Sequence, residues 1–446
     1  MSKAQRIGIV GSGLVGTVLA IGLKKLGYSV DVIDRSPDIR TIDFSGRSIN
    51  LALSTRGWKT LDKIGIGNQI REISIPMDKR AIHNVDLSVV EQQYGVHGES
   101  IYSVSSGGLN QKLVALAEEA GVNFIFDCPI WDIDLEHAVL YTGETEVGAW
   151  EAMSYDIVLG ADGAYSKIRG RMQRQSRFEY SQHYLNIGYK ELTIDADVFS
   201  KHRLDPNSFH IWPRGHFMLI ALPNLDGSFT CTVFMPFEGE VSFEAIKTEA
   251  DLMTFFTTYF SDAVPLISAL KKDFFENPTS ALVTTTCYPW VSNNKVALIG
   301  DAAHAVVPFY GQGLNAGLED VMTLLELLEK HSGNWSVSLE RYQVERKPNA
   351  DAIAELSDRN FIEMSTLTAD PIFLLQKKIE KRFTDLYPTY WLPLYDRVTF
   401  SSGSYAEALK LGDFQDAVMK EIMAMDAVFE KWDSEEVEAM MLRHFK

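Results

Sequence analysis

The sequence predicts an α/β fold in three parts: a Rossmann-like domain, an inserted antiparallel-sheet domain and a C-terminal helical region. Three patterns carry this expectation. The apolar run Ile7-Gly-Ile-Val10 leads through Gly11-Ser-Gly-Leu-Val-Gly16 into a helical pattern. Segments 185–194, 209–222 and 229–237 alternate apolar and polar residues, with turn signals at Pro213-Arg-Gly215 and Asn224-Leu-Asp-Gly227. From about residue 326 to the end the periodicity is helical, with breaks expected at Pro348, Pro371, Pro388 and Pro393.

The glycine segment stands where a dinucleotide fingerprint must stand, between a strand and a helix start. Gly11 permits the tight turn, Gly13 lets backbone approach a pyrophosphate, and Gly16 lets the helix pack on the strand. Leu14 and Val15 open the helix, whose free N–H groups and partial positive charge suit a phosphate. The next strand, Ser29-Val-Asp-Val-Ile-Asp34, ends in an acid eighteen residues after Gly16. Asp34 is placed to accept from a ribose hydroxyl, with Arg35 beside it. Two later segments repeat the idea of a strand ending in an acid and a glycine. They are Asp156-Ile-Val-Leu-Gly-Ala-Asp-Gly-Ala-Tyr-Ser-Lys-Ile-Arg169 and Val296-Ala-Leu-Ile-Gly-Asp-Ala-Ala-His304, the latter followed by a glycine-rich helix start at Gly311-Gln-Gly-Leu-Asn315. There is no second G-x-G-x-x-G, which suits one tightly held dinucleotide and a reductant that only visits.

Length and composition bound the rest. A chain of 446 residues exceeds a single core and implies several lobes, and 46% apolar residues suffice to bury them. A net charge of −18 argues against nucleic acid or an anionic membrane as partner. Cys128, Cys231 and Cys287 are widely spaced, form no metal pattern and read as reduced thiols of a cytoplasmic protein, with no metal site expected. No window is long and apolar enough for a membrane span, and the start of the chain is not a signal peptide. The expected division is discontinuous. Residues 1–75, 100–180 and 285–330 form the nucleotide-binding domain, 76–99 and 181–284 the sheet domain, and 331–446 the helical region.

The glycine motif, Asp162-Gly163 and Gly300-Asp301 together resemble the signatures of the flavoprotein aromatic hydroxylases. That resemblance implies FAD, held by Gly11, Gly13, Leu14, Val15, Gly16, Asp34, Arg35, Arg47, Asp162, Gly163, Gly300, Asp301, Pro308, Gly313, Leu314 and Asn315. Arg47 and Arg56 flank the segment from Ser48 to Ser54, and either a cofactor phosphate or an ion pair within the domain would explain them. His304 is read as structural.

Further segments narrow the resemblance. Gly46-Arg-Ser-Ile-Asn-Leu-Ala-Leu-Ser-Thr-Arg-Gly57, Ser208-Phe-His-Ile-Trp-Pro-Arg214, Val307-Pro-Phe-Tyr-Gly-Gln-Gly313, Asn360-Phe-Ile-Glu-Met364 and Leu392-Pro-Leu-Tyr-Asp-Arg-Val-Thr-Phe400 look like the branch of that family acting on L-kynurenine. Together with the glycine motif, the similarity runs in order from Arg6 to about Ser401. The resemblance implies hydroxylation at carbon 3 with NADPH and O2 through a C4a-hydroperoxyflavin. A zwitterionic substrate needs a bidentate carboxylate partner, which Arg supplies better than Lys. Arg80 matches that arginine, Tyr94 a tyrosine beside it, and Asn360 and Tyr395 polar residues reaching the substrate. Pro308, Phe309, Tyr310 and Gln312 are expected between substrate and flavin, with Phe234 and Phe237 on the sheet side. No catalytic side chain is singled out. Eukaryotic members carry a C-terminal membrane anchor. The ending Val437-Glu-Ala-Met-Met-Leu-Arg-His-Phe-Lys446 is too short and charged for one, so a bacterial protein without an anchor is expected.

One position departs from the family. Where an arginine usually opens the helix after Ser103-Val-Ser105 and contacts FAD, this chain has Ser106-Gly-Gly-Leu109. Other readings stay open at this point: the same chemistry on another aminoaromatic or phenolic substrate, a flavin-dependent dehydrogenase or reductase without oxygen transfer, or a nucleotide-binding sensor.

Overall fold

A computed structural model describes residues 5–42, 49–95, 98–367 and 370–445. The apolar run near the start forms the strand Arg6–Val10, which pairs in parallel with Ser29–Ile33 on one side and Ile157–Gly160 on the other. Around them lies a six-stranded sheet in the order Val291–Ser292, Val296–Leu298, Ile157–Gly160, Arg6–Val10, Ser29–Ile33, Asn123–Ile125. Its central strands are buried on both faces because helices cover each, which is why they read as unbroken apolar runs. The helix Leu14–Lys25 packs against Ser106–Glu119 and Gly313–Lys330, so three glycine-bearing helix starts converge at one end of this sheet.

A seven-stranded sheet follows the order Ser280–Tyr288, Glu179–Ile194, Phe229–Pro236, Met218–Pro223, Ser208–Pro213, Lys79–His83, Val89–Gln93. The expected strand over 209–222 is two strands of a hairpin, Ser208–Pro213 and Met218–Pro223. The sheet is not wholly antiparallel either: Lys79–His83 joins Ser208–Pro213 in parallel, because it arrives from the nucleotide-binding part rather than through a hairpin. Alternation separates its faces. Phe229, Cys231, Val233 and Met235 pack with Phe255, Phe256 and Phe274 of the covering helices Glu249–Tyr259 and Leu270–Glu276. Thr230, Thr232 and Phe234 face the opposite way, toward a cavity.

The C-terminal helices Pro371–Leu386, Tyr405–Met423 and Glu435–Leu442 share a core of Leu375, Ile379, Phe383, Val418, Met419 and Met441. Pro371 occupies the first turn of its helix and Pro393 immediately precedes the helix Leu394–Thr399. Pro348 breaks nothing, contrary to expectation: it lies inside the 32-residue helix Trp335–Thr366. That helix packs on both Gly313–Lys330 and Tyr405–Met423, and this tertiary packing outweighs the roughly 3 kcal/mol an interior proline costs. Among the described residues no helix is long and apolar enough to cross a membrane, and no cluster of three metal-ligating side chains occurs.

Candidate active site

A cavity of about 530 Å³ lies between the two large sheets. One wall is the nucleotide-binding side: Gly13, Leu14, Val15, Ser106, Gly163, Asp301, Gly313 and Leu314. The backbone there is forced by close approach. A Cβ at Gly11, whose φ is +108°, would lie 2.4 Å from the Ala161 carbonyl oxygen, and one at Gly16 would lie 2.2 Å from that of Gly11. Gly13 and Gly163 are the opposite case, with nothing within 4 Å of their Cβ positions, so open space faces them. Asp34 does not line the cavity; its Oδ2 accepts from the Ser12 backbone N–H at 2.6 Å and hydroxyl at 2.8 Å, fixing the glycine turn. Arg35 is exposed and likewise off the cavity wall, and Arg47 lies outside the described residues.

The two later acid–glycine pairs divide their labour. Asp162 accepts from the N–H groups of Lys167 and Ile168 and so caps the helix Lys167–Met172, while burial pushes its carboxyl above the usual range. It is Gly163 that meets the cavity. At the other pair, Gly300 turns the chain with φ +62° and donates its N–H to Asp320 at 3.0 Å. Asp301 opens onto the cavity and makes no side-chain hydrogen bond among the described residues; crowding by protein on its other sides raises its carboxyl. His304 is indeed structural, bonded to Asp320 at 2.5 Å and stacked on Trp290. Burial alone would raise Asp320, but His304 and Arg346 outweigh it and hold its carboxyl low. Asn315 is fully buried and away from the cavity. It clamps the Ala52–Ser54 turn, donating to the Ala52 and Gly311 carbonyls and accepting from the Ser54 N–H.

The opposite wall carries Arg80, Met218, Ile220, Phe234, Pro308, Phe309, Tyr310, Met364 and Tyr395. Arg80 Nε donates to the Tyr94 hydroxyl at 3.2 Å, and its guanidinium lies over the Tyr395 ring at 4.0 Å. It forms no ion pair among the described residues. The rings of Tyr94 and Tyr310 both stack with Tyr395, at 5.7 and 5.6 Å between centroids. Burial raises both of their hydroxyl pKa values, so they remain neutral and cannot offset the arginine's charge. Phe309 packs between Phe234 and Phe361.

Three expected contacts are not made directly. Gln312 is buried behind the wall, accepting from the Tyr405 hydroxyl at 2.9 Å. Asn360 donates to the Phe309 carbonyl at 2.8 Å and so props the wall rather than forming it. Phe237 points to the other side of the sheet, against Phe243 and Gly188, because it is three residues from Phe234. Conversely, Met218, Ile220 and Thr232 line the cavity unannounced; alternation along the hairpin strands is the signal that points to them, while Ser106, the position that departs from the family, lies on the cavity wall at a helix start.

Glycines that leave a phosphate-sized approach open at Gly13, a cavity-facing acid at Asp301 and the clamped turn before Gly313 all fit a bound FAD. The comparisons agree. A family profile described as FAD binding domain matches residues 4–357. Solved structures of similar fold include the tetrameric form of 2-methyl-3-hydroxypyridine-5-carboxylic acid oxygenase (TM-score 0.67, 20% identity, 84% of this chain and 96% of that one). P. aeruginosa PqsL in complex with 2-aminobenzoylacetate is another (TM-score 0.65, 18% identity, 81% and 97%). Fold and site define an FAD-dependent monooxygenase of the aromatic hydroxylase class.

The full-length relatives are more specific. A kynurenine 3-monooxygenase of Flavobacterium johnsoniae is 60% identical over 442 residues, covering 99% of each chain. Those of Dictyostelium discoideum and Candida albicans are 42% and 39% identical, each covering 94% of this chain and 93% of the relative. The chain belongs to the kynurenine 3-monooxygenase family.

Proposed function

We propose that this protein hydroxylates L-kynurenine at carbon 3, consuming NADPH and O2. The observation that carries the reading is Arg80: a guanidinium that forms no ion pair among the described residues, set at the edge of an aromatic cavity. A single fork of donors fits one carboxylate bidentately. The neutral hydroxyl of Tyr94 fixes the guanidinium's orientation, and the Tyr395 face supports it by a cation–π contact. Phe234, Phe309 and Tyr310 offer flat surfaces for an aminophenyl ketone and keep water from the reacting region. Asn360 and Gln312 act behind that wall by holding the Phe309 carbonyl and the turn before Gly313.

Bound FAD, once reduced by NADPH, supplies the O2-dependent oxidising chemistry, while the chain contributes binding, orientation and a dry site. In this reading residues 1–75, 100–180 and 285–330 hold the cofactor, and 76–99 and 181–284 shape the substrate side. The amine ortho to the ketone enriches the ring carbon that receives oxygen, so no nucleophilic side chain is required.

The test is NADPH oxidation by the purified holoenzyme against a panel of aminoaromatic and phenolic ligands, with product mass determined. L-Kynurenine should switch oxidation on and gain one oxygen atom at carbon 3. NADPH oxidation without a hydroxylated product for any ligand would leave a reductase, and a phenolic product alone would move the substrate assignment.

A further inference from the structure

We propose that Arg56 is a positioning residue for substrate carboxylate recognition, acting through the helix Leu394–Thr399 and Tyr395 on Arg80. The inference rests on the function proposed above. Arg56 sits in the first turn of the helix Thr55–Lys63, is 3% exposed, and lies outside the cavity wall. It does not reach toward a phosphate. Its Nε donates to the Val398 carbonyl at 2.5 Å, and its Nη2 donates to the carbonyls of Gly403 at 2.8 Å and Arg397 at 3.3 Å. These carbonyls lie at and just past the C-terminal end of the helix Leu394–Thr399, where acceptors have no partner within the helix. One buried guanidinium takes the place of water there.

The cation is itself held from the opposite side. Its Nη1 pairs with Glu319 at 2.6 Å, and Glu319 pairs with Arg346 at 3.0 Å. Its plane covers the Tyr405 ring at 4.0 Å, and the Tyr405 hydroxyl donates to Gln312, immediately before the helix Gly313–Lys330. Arg56 therefore joins the helix starting at the cofactor side to the short helix that begins with Leu394 and Tyr395. Tyr395 is the ring on which the Arg80 guanidinium rests. With Arg56 removed, the Val398 and Gly403 carbonyls lose this donor, the Arg397 carbonyl keeps only the Ser401 hydroxyl, and the ring loses a fixed seat. Lysine at this place keeps the charge for Glu319 but offers a point donor that cannot serve three carbonyls at once.

The experiment titrates L-kynurenine into four FAD-loaded proteins, read by perturbation of the flavin absorbance: wild type, Arg56→Lys, Arg80→Ala and the double variant. Misplacement of order 1 Å at a distance can cost up to about 100-fold, so Arg56→Lys should bind L-kynurenine roughly 10- to 100-fold more weakly. In the Arg80→Ala background the same change should cost no more than about 2-fold, since the residue it positions is gone. Flavin retention by Arg56→Lys should stay near wild type, while its thermal midpoint falls because buried carbonyls lose their donor. Losses that multiply across the cycle would show that Arg56 acts independently of Arg80 and overturn the proposal, as would wild-type binding by Arg56→Lys. The double variant Arg56→Met/Glu319→Gln, which removes both members of the ion pair and leaves Arg346 paired with Asp320, provides a second route to the same cycle. If wild type itself gives no response to L-kynurenine, the function assignment fails and this inference with it; a normal wild-type response with an additive cycle rejects only the role of Arg56.

Discussion

The Arg80 guanidinium lies 4.0 Å above the centre of the Tyr395 ring, while its Nε donates to Tyr94 and no carboxylate pairs with it among the described residues. The site thus holds a fixed cation with no ion pair of its own, ready for a carboxylate brought by a ligand. Arg80→Ala should lower kcat/KM for L-kynurenine by roughly 30- to 1000-fold, corresponding to about 2–4 kcal/mol for a partly buried charge-assisted pair. Arg80→Lys should recover only part of this. A decarboxylated kynurenine should be a poor wild-type substrate yet lose little more with Arg80→Ala. Equal losses for both ligands would instead give Arg80 a role in folding or flavin binding.

Ser106 opens the helix Ser106–Glu119 on the cavity wall, at the place where the family resemblance implies an arginine. Loss of one charge-assisted contact is worth about 1.5–3 kcal/mol. The wild type should therefore release FAD on dilution, and Ser106→Arg should retain it roughly 10- to 100-fold more tightly. Fluorescence of released flavin measures this directly, and an unchanged or weaker affinity in the variant would end the argument.

Asp396 follows Tyr395, and burial pushes its carboxyl up to about 6 against the pull of Arg80, with Glu99 adding to the rise. Below that pH it is neutral and leaves the arginine wholly to the substrate; above it, a carboxylate competes. L-Kynurenine should bind about 3- to 10-fold more tightly at pH 5.5 than at pH 7.5, a range in which the substrate carboxylate stays ionised. Asp396→Asn should flatten that slope. The same pH dependence in both proteins would acquit Asp396.

His210 lies on the helix-covered face of the seven-stranded sheet, with Nδ1 3.0 Å from His83 Nε2 and Nε2 2.9 Å from the Asp205 carbonyl. Burial pushes its pKa down to about 4. A histidine depressed in the folded state resists protonation there, so its contribution is intact above about 6.5 and is lost as pH falls from there to about 4. Over that window the loss should approach 2–3 kcal/mol, with Asp262 beside His83 moderating it. Urea midpoints at pH 7.5 and 4.5 should converge in His210→Gln relative to wild type. An equal acid loss in the variant would place the sensitivity elsewhere.

The nucleotide-binding half was legible in the sequence because its signals are local backbone requirements. Gly11 and Gly16 admit no Cβ whatever surrounds them, and a buried parallel strand announces itself as an apolar run. Arg80, Tyr94 and Tyr395 were reached through resemblance, and the fold brings them together from positions separated by up to 315 residues. What the sequence hid was the line between touching the cavity and supporting it. Gln312 and Asn360 are amides whose partners, Tyr405 and the Phe309 carbonyl, lie 93 and 51 residues away. Phe237 was misjudged by residue type although strand alternation already put it on the far face. Pro348 was overruled by packing that no local signal encodes.

The order of strands in the six-stranded sheet has a consequence for how the protein is made. Arg6–Val10 emerges first, but the strand beside it, Ile157–Gly160, finds its own far neighbour only in Val296–Leu298. At about 5–20 residues per second, synthesis keeps the glycine turn waiting roughly 15–60 s for that neighbour. Asn315, which locks the Ala52–Ser54 turn, leaves the ribosome later still. Until then the cradle is incomplete, and the edge of Ile157–Gly160 that Val296–Leu298 will take stays unpaired on the nascent chain.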